Sequence, residues 1–344
     1  MRIGSHEVSE VAEHPFVIAE PASAHEGDVD RAIALTDAAV AAGADSIKYQ
    51  IWSRDELLTP AHAQFDDFGA IELSRDQWLD VMSHARTKAI CIAADVDDVA
   101  STKLALEGGA ELLKVRTTNL AHAELLRFVA ESGLPIALAT GASTMEEIAY
   151  GLDVLDRYGA KDIMLIHGFQ AFPTAPVDTH LRALGLLRER FGRLLGYADH
   201  ADGDSPLAYL LPTAALAAGA CAIEKHISID REKRTEDFEA SLNGPEFARM
   251  VQQLREVWQS LGEADHEMND AERGYRKRFK KSIVSRDAIA RGEIIDEQKL
   301  VFRIGGETGF PIDELASVVG RRAAVEIPAL SVIRAEMLGG ELPA

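Results

Sequence analysis

Residues 222–230 read AIEKHISID. Ala222 and Ile223 belong to an apolar run, Glu224, Lys225 and His226 follow at once, and only then does Ile227 resume. A buried strand that ends in an acid, a base and an imidazole must face something polar at that end. Apolar runs with polar ends recur along the chain: FVIAE (16–20), SIKYQ (46–50), ICIAA (90–94), LLKV (112–115), PIALAT (135–140), IMLIH (163–167), LLGYAD (194–199) and CAIEKH (221–226). Amphipathic stretches such as DRAIALTDAAVAAG (30–43), DVASTKLALEGG (98–109) and STMEEIAYGLDVLDRYG (143–159) lie between them. Several end at Gly before the next apolar run, as helix C-caps do, and Ser143 with Glu146 fits a capping box. About eight βα units in roughly 260 residues predict a (β/α)8 barrel; a doubly wound open sheet usually has fewer strands.

The 344 residues exceed one ordinary core and predict a large domain plus a small one. The formal net charge of −20 argues against nucleic-acid or anionic-membrane partners. A pocket that concentrates Lys and Arg still leaves room for an anionic small substrate. No glycine-rich nucleotide loop follows any strand, which argues against NAD and ATP. Cys91 and Cys221 sit in apolar segments and read as reduced core thiols. With an N-terminus lacking a signal-peptide core, they predict a cytoplasmic protein. The apolar stretch 206–223 carries Pro212 and Gly219 and reads as a buried helix leading into a buried strand, not a membrane span.

The barrel is expected over 1–265. The charged stretch 266–281 lacks a sustained apolar face and reads as a linker; its basic run Arg276–Lys281 reads as a solvated face, with docking to an acidic barrel rim as the alternative. Short apolar segments after it predict a small β-rich domain over 282–344.

A barrel binds substrate at the C-terminal ends of its strands. There the sequence collects Glu20, Lys48, Gln50, Asp95, Lys114, Arg116, Thr117, Asn119, Thr140, His167, Gln170, Asp199, His200, Glu224 and His226. Strand alternation puts Lys48 with Gln50, and Glu224 with His226, on shared faces, and turns Lys225 outward to an ion pair. His200 and His226 on neighbouring strands are candidate ligands of one six-coordinate divalent ion, completed by water and substrate oxygens. The alternative is two histidines hydrogen-bonded at a rim. Lys48 and Lys114 suggest a phosphate or carboxylate clamp.

These residues fall in motifs that resemble the sialic acid synthase family. AEPASAHEGDVDRAIALTDAAVAAGADSIKYQ (19–50) is similar to its opening, ATGASTMEEI (139–148) to its Ser-Thr-Gly-Met-Ser-Thr segment, and LIHGFQAFPTAPVDTHLRAL (165–184) to its His-Cys-Thr-x-x-Tyr-Pro stretch. GYADH (196–200) and IEKHISID (223–230) resemble its two metal-histidine motifs, and EDFEASLNGPEF (236–247) follows in register. The segments 280–306 and 318–333 resemble its C-terminal antifreeze-like (SAF) domain.

The resemblance implies a TIM barrel with a small β-clip SAF domain, and condensation of phosphoenolpyruvate with an N-acetylated amino-sugar aldehyde. It implies a divalent metal on His200 and His226, Mn²⁺ by preference, with Mg²⁺ or Co²⁺ possible. Lys48 and Lys114 would bind the phosphoenolpyruvate anion, Glu20 would transfer protons, and Gln50 and Asp237 would contact the sugar. Thr140 and Gln170 join them as expected substrate contacts. The resemblance also implies a domain-swapped homodimer in which Arg303 reaches the partner's barrel. The chain departs from the family pattern at anion-binding positions: Ala139 and Ala198 stand for Ser, Ala94 and Asp95 fall in place of Ser-Thr-Pro, and Arg116 and Thr117 replace Gly and Ser. Gly168 stands for Cys and Phe172 for Tyr. Arg116 is expected to compensate with a bidentate contact. The alternatives are a barrel lyase or aldolase for another anion, and a non-catalytic paralogue.

Overall fold

The structure is a computed structural model that describes residues 1–263, 266–306 and 309–339. The chain forms two compact units, Met1–Glu263 and Ala264–Ala344. In the first, strands β1 (Phe16–Glu20), β2 (Ser46–Ile51), β3 (Cys91–Val96), β4 (Leu112–Val115), β5 (Ile136–Ala139), β6 (Ile163–His167), β7 (Leu194–Asp199) and β8 (Ala222–Ser228) each pair in parallel with the next. β8 also pairs with β1, so the sheet closes into a barrel. Helices α1 (Val29–Ala41), α2 (Arg75–Thr87), α3 (Val99–Gly108), α4 (Ala123–Glu131), α5 (Met145–Arg157), α6 (Ala183–Phe191), α7 (Leu207–Ala217) and α8 (Gly244–Leu261) follow the strands in turn. The (β/α)8 reading therefore stands.

The strands are apolar runs because both faces are covered: β1 is buried along its whole length. The helices bury one stripe each; in α5 it is Ile148, Leu152 and Leu155. Glycine does specific work after α3, where Gly109 closes the helix at φ 86°. The apolar stretch 206–223 is α7 leading into β8, and among the described residues no helix is long and apolar enough to cross a membrane. Cys91 and Cys221 are free and buried, and burial pushes both thiols up, Cys221 to about 11.

One expectation is corrected. The capping box of α5 is Thr144 with Glu147, one residue later than the Ser143–Glu146 pair. The segment contains both patterns, and Ser143 is drawn instead to the Gly141 carbonyl and Thr117. The charged stretch 266–281 contains helix α9 (Asp270–Phe279). That helix buries no residue, so it has no apolar stripe to read. Its local supports are an Asn269–Glu272 capping box, an Arg273–Asp270 pair and the tilted, contacting rings of Tyr275 and Phe279, 4.8 Å apart.

The rest of the second unit is β-rich. β9 (Ser282–Ser285) pairs antiparallel with β10 (Leu300–Arg303), and Arg322–Ala323 pairs with Leu338–Gly339. Its own small core contains Ile283, Ile289, Ile295, Leu300, Val318, Ile327 and Ile333. Residues 264–265 and 340–344, where the expected boundary and the end of the small domain fall, lie outside the described residues.

Candidate active site at the barrel mouth

Register decides which side chains meet. Across β8 and β1, His226 lies beside Glu20; across β2 and β3, Gln50 lies beside Asp95; across β3 and β4, Asp95 lies beside Lys114. The inward faces of these strands converge on a cavity of about 350 Å³, within the size range of small-ligand sites. Its lining includes Glu20, Lys48, Gln50, Lys114, Arg116, Thr117, Gln170, His200, His226 and Asp237. The barrel thus brings together ten residues that the sequence had scattered over more than two hundred positions.

At the bottom of the cavity is an ion cluster. Lys48 Nζ contacts Glu20 and lies 2.6 Å from Asp95 Oδ2 and 3.1 Å from Glu224 Oε1. Lys114 Nζ donates to both Glu224 oxygens, at 2.7 and 2.9 Å. All five side chains are buried. Burial pushes Glu224 up, but Lys114 and Lys48 overturn that and hold its carboxyl below the usual range. Lys114 goes the other way: burial would lower it, yet Asp95 and Glu224 keep it firmly charged. For Lys48 burial wins over Asp95 and Glu224, and its ammonium is lowered. The lysines are therefore not an idle clamp. Three carboxylates face two ammoniums, so an incoming anion must replace carboxylate partners that already satisfy them.

Arg116 is also engaged. Its Nε and Nη2 donate to the two Asp97 oxygens at 3.0 and 2.6 Å, and Asn119 donates to Asp97 at 2.8 Å. Burial raises the Asp97 carboxyl more than Arg116 lowers it. The bidentate contact expected of Arg116 is thus made to a carboxylate of the chain, leaving the rest of the guanidinium toward the cavity that it lines. Thr117 donates to the Gly141 carbonyl and meets Ser143 Oγ at 2.6 Å. Thr140 turns its hydroxyl to the Ile166 carbonyl at 3.3 Å and is not among the residues that line the cavity. The wall near it is Ala139, Gly168 and Ala198. A Cβ at Gly168 would come within 2.8 Å of the Ala198 carbonyl oxygen and 2.9 Å of its Cβ, so the close approach of the two strand ends requires Gly at 168.

His200, just after β7, and His226, on β8, have ring centres 5.5 Å apart, with Phe172 packed against both. His200 Nδ1 donates to the Phe169 carbonyl at 2.6 Å, which turns Nε2 free of the proton. His226 Nδ1 is buried without a hydrogen bond, 3.8 Å from Asp237 Oδ2. Burial lowers both imidazoles, His200 to about 4, so both keep a lone pair at neutral pH. An unpartnered buried nitrogen and two neutral rings suit a divalent ion. Among the described residues the mouth does not bring three such donor atoms within 4.8 Å, so water or substrate would complete its coordination. Asp237, at φ 59°, has its carboxyl raised to about 6 by burial and by Glu236 and Glu239.

Lys225 faces outward as alternation requires. It is fully buried, 2.6 Å from Asp199 Oδ2 and 2.8 Å from the Ala201 carbonyl. Arg303 belongs to the second unit, where it ends β10 and is exposed. From the sequence, Glu224 and Asp95 stand at the strand ends without an assigned role, and Asp97 is not singled out. Glu224 was legible: it shares the inward face of β8 with His226.

A model of the NeuB family matches residues 35–266, and a model of the SAF domain matches 280–339. The N,N'-diacetyllegionaminic acid synthase of Legionella pneumophila is 27% identical over 91% of this chain and 92% of its own. The human N-acetylneuraminate-9-phosphate synthase is 25% identical over 95% and 93%. The crystal structure of N-acetylneuraminic acid synthetase from Leptospira borgpetersenii, in complex with citrate, superposes with a TM-score of 0.74 at 27% identity, covering 80% of this chain and 95% of that one.

Proposed function

This chain belongs to the NeuB family, and from that premise we propose that it is a synthase condensing phosphoenolpyruvate with the open-chain aldehyde of an N-acetylated amino sugar. The products are a sialic-acid-like 2-keto acid and phosphate. The observation that carries this reading is the convergence of Glu20, Lys48, Lys114 and Glu224 with two neutral histidines in one barrel mouth.

Carbon 3 of the enol phosphate attacks the aldehyde carbon, water adds at carbon 2, and loss of phosphate leaves the ketone. Lys48 and Lys114 turn from Glu20 and Asp95 to the donor's anionic groups, while Glu224 stays on both ammoniums and holds them in place. Arg116, oriented by Asp97, adds a third cation. Glu20, whose Oε1 is fixed by the Ala22 amide at 2.9 Å, takes the proton of the attacking water. Gln50, Gln170 and Asp237 contact the sugar. His200 and His226 would hold a divalent ion, Mn²⁺ before Mg²⁺ or Co²⁺, which when bound supplies Lewis acidity toward the aldehyde oxygen. The reading includes a domain-swapped homodimer in which Arg303 reaches the partner's barrel. Exposed Phe302 and Ile304 beside Arg303 support an interface there.

The test is phosphate release from phosphoenolpyruvate with a panel of N-acetylated amino-sugar aldehydes and each metal. Release that requires both aldehyde and metal is expected; none across the panel would overturn the reading. One observation favours a second reading, a lyase or aldolase for a different anion: the wall of Ala139, Gly168 and Ala198 offers no side-chain hydroxyl to a phosphate. Borohydride with a keto acid would then label Lys48 or Lys114, whereas the synthase stays unlabelled.

A further inference from the structure

The other end of the barrel carries a second group of metal-type donors. The chain begins with a hairpin of Arg2–Ile3 paired to His6–Glu7. His14 lies just before β1, and Asp45 just before β2. The hairpin, the approach to β1 and the entry to β2 thus meet at the N-terminal ends of the strands, away from the mouth. There one donor atom each from His6, His14 and Asp45 lies within 4.8 Å of the others. Each histidine's Nδ1 is 3.9 Å from Asp45 Oδ1.

The carboxylate is held rigidly. Its side chain is 5% exposed, and Oδ2 accepts from the Val17 amide at 2.8 Å. The His6 ring packs edge-on against Phe16, with centroids 5.5 Å apart, and the two imidazoles meet edge-to-face at 6.3 Å. His14 Nδ1 is 3.1 Å from its neighbour's carbonyl, Pro15 O. Toward that carbonyl Nδ1 carries its proton, so ligation through it requires the ring to turn off the carbonyl; its side chain is 35% exposed.

We propose that His6, His14 and Asp45 form a binding site for a transition-metal ion of the Zn²⁺ class, separate from the barrel mouth. Two imidazoles and one carboxylate are the donor set of that class, whereas Mg²⁺ and Ca²⁺ prefer all-oxygen shells. Tetrahedral ligands at zinc distances stand about 3.4 Å apart, so each histidine closes on Asp45 by roughly half an ångström and the two imidazoles on each other by at most about 1.4 Å, within reach of side-chain rotation. Water supplies the fourth ligand. Arg255 is the competing cation: its Nη2 lies 3.3 Å from Asp45 Oδ1, but its shorter bond is to the Gly43 carbonyl at 2.9 Å. It acts as the outer hydrogen bond that a ligating carboxylate commonly receives, and its charge moderates the affinity. The ion fastens the N-terminal hairpin to the barrel floor. It takes no part in the chemistry at the mouth.

The test uses the full-length chain without a histidine tag, stripped with chelator and titrated with ZnCl₂ by calorimetry. A His200→Ala/His226→Ala variant silences the mouth histidines, with circular dichroism as the check of folding. This variant is expected to bind one Zn²⁺ per chain and to gain thermal stability with it. Adding His6→Gln or His14→Gln is expected to weaken binding at least about tenfold and remove that gain. With Co²⁺ in place of Zn²⁺, the visible band of a four-coordinate ion should vanish in the same variants. If the double-alanine variant misfolds, the readout is the wild-type stoichiometry, which should fall by one ion in His6→Gln. Failure of the silenced variant to bind Zn²⁺, or binding that ignores both glutamine changes, would overturn the site.

Discussion

At the level of single residues, the mouth differs from a simple clamp because each cation arrives with a carboxylate already attached. Arg116 is the sharpest case. Its fork on Asp97 orients the guanidinium beside a wall of alanines and glycine that offers no hydroxyl. Arg116→Gly should raise KM for the anionic donor about tenfold, the loss of one charge-assisted contact, and leave KM for the sugar unchanged. Asp97→Asn should move the same constant in the same direction; an unchanged donor KM in steady-state kinetics would make the pair structural. His25 supplies a pH prediction. Burial lowers it from 6.5 to about 4, and its Nδ1 accepts the Gly27 amide at 3.1 Å. Between those pH values the unfolded chain takes up a proton that the folded ring refuses. Its contribution is therefore complete above about pH 6.5 and lost as the pH falls toward 4, by roughly 3 kcal/mol. Urea unfolding at pH 7.5 and 5 should show a smaller acid loss in His25→Gln than in the parent chain.

Individual elements show how strand alternation sorts chemistry from structure. On β8, Glu224 and His226 face the cavity, whereas Lys225 between them is locked to Asp199 outside it, with Tyr197 donating to the same carboxylate at 2.9 Å. Lys225→Met leaves that buried carboxylate without its cation and should cost about 3–5 kcal/mol in chemical denaturation. Lys225→Met combined with Asp199→Asn should recover most of the loss, and simple addition of the two single effects would show that the pair is uncoupled. The strands were legible because each is a short apolar run with polar ends, and β1, β4, β6 and β7 have the limits read from the sequence. Helix α9 was not legible, because its supports are a cap, an ion pair and two contacting rings on a solvated surface.

For the whole molecule, the prediction concerns assembly. If each active site combines one barrel with the partner's SAF domain, His226→Ala and Arg303→Ala chains, both inactive alone, should regain activity when dissociated and reassembled together. Statistical mixing sets the recovery at roughly a quarter of wild type. No recovery despite proven heterodimers would rule out a shared site, and a monomer in light scattering would rule out the swap. The sequence by itself determined the order of strands and helices, the outward turn of Lys225 and the candidate residues at each strand end. These follow from local periodicity and from motifs that need no distant partner. Tertiary structure alone decided the pairings: Lys114 meets Glu224 across 110 positions and Lys48 meets it across 176. It also set Arg116 on Asp97 and drew His6, His14 and Asp45 together beneath the barrel. The physical reason is closure. Which charge faces which depends on the register of eight strands joined into a ring, and no local stretch of the chain carries that register.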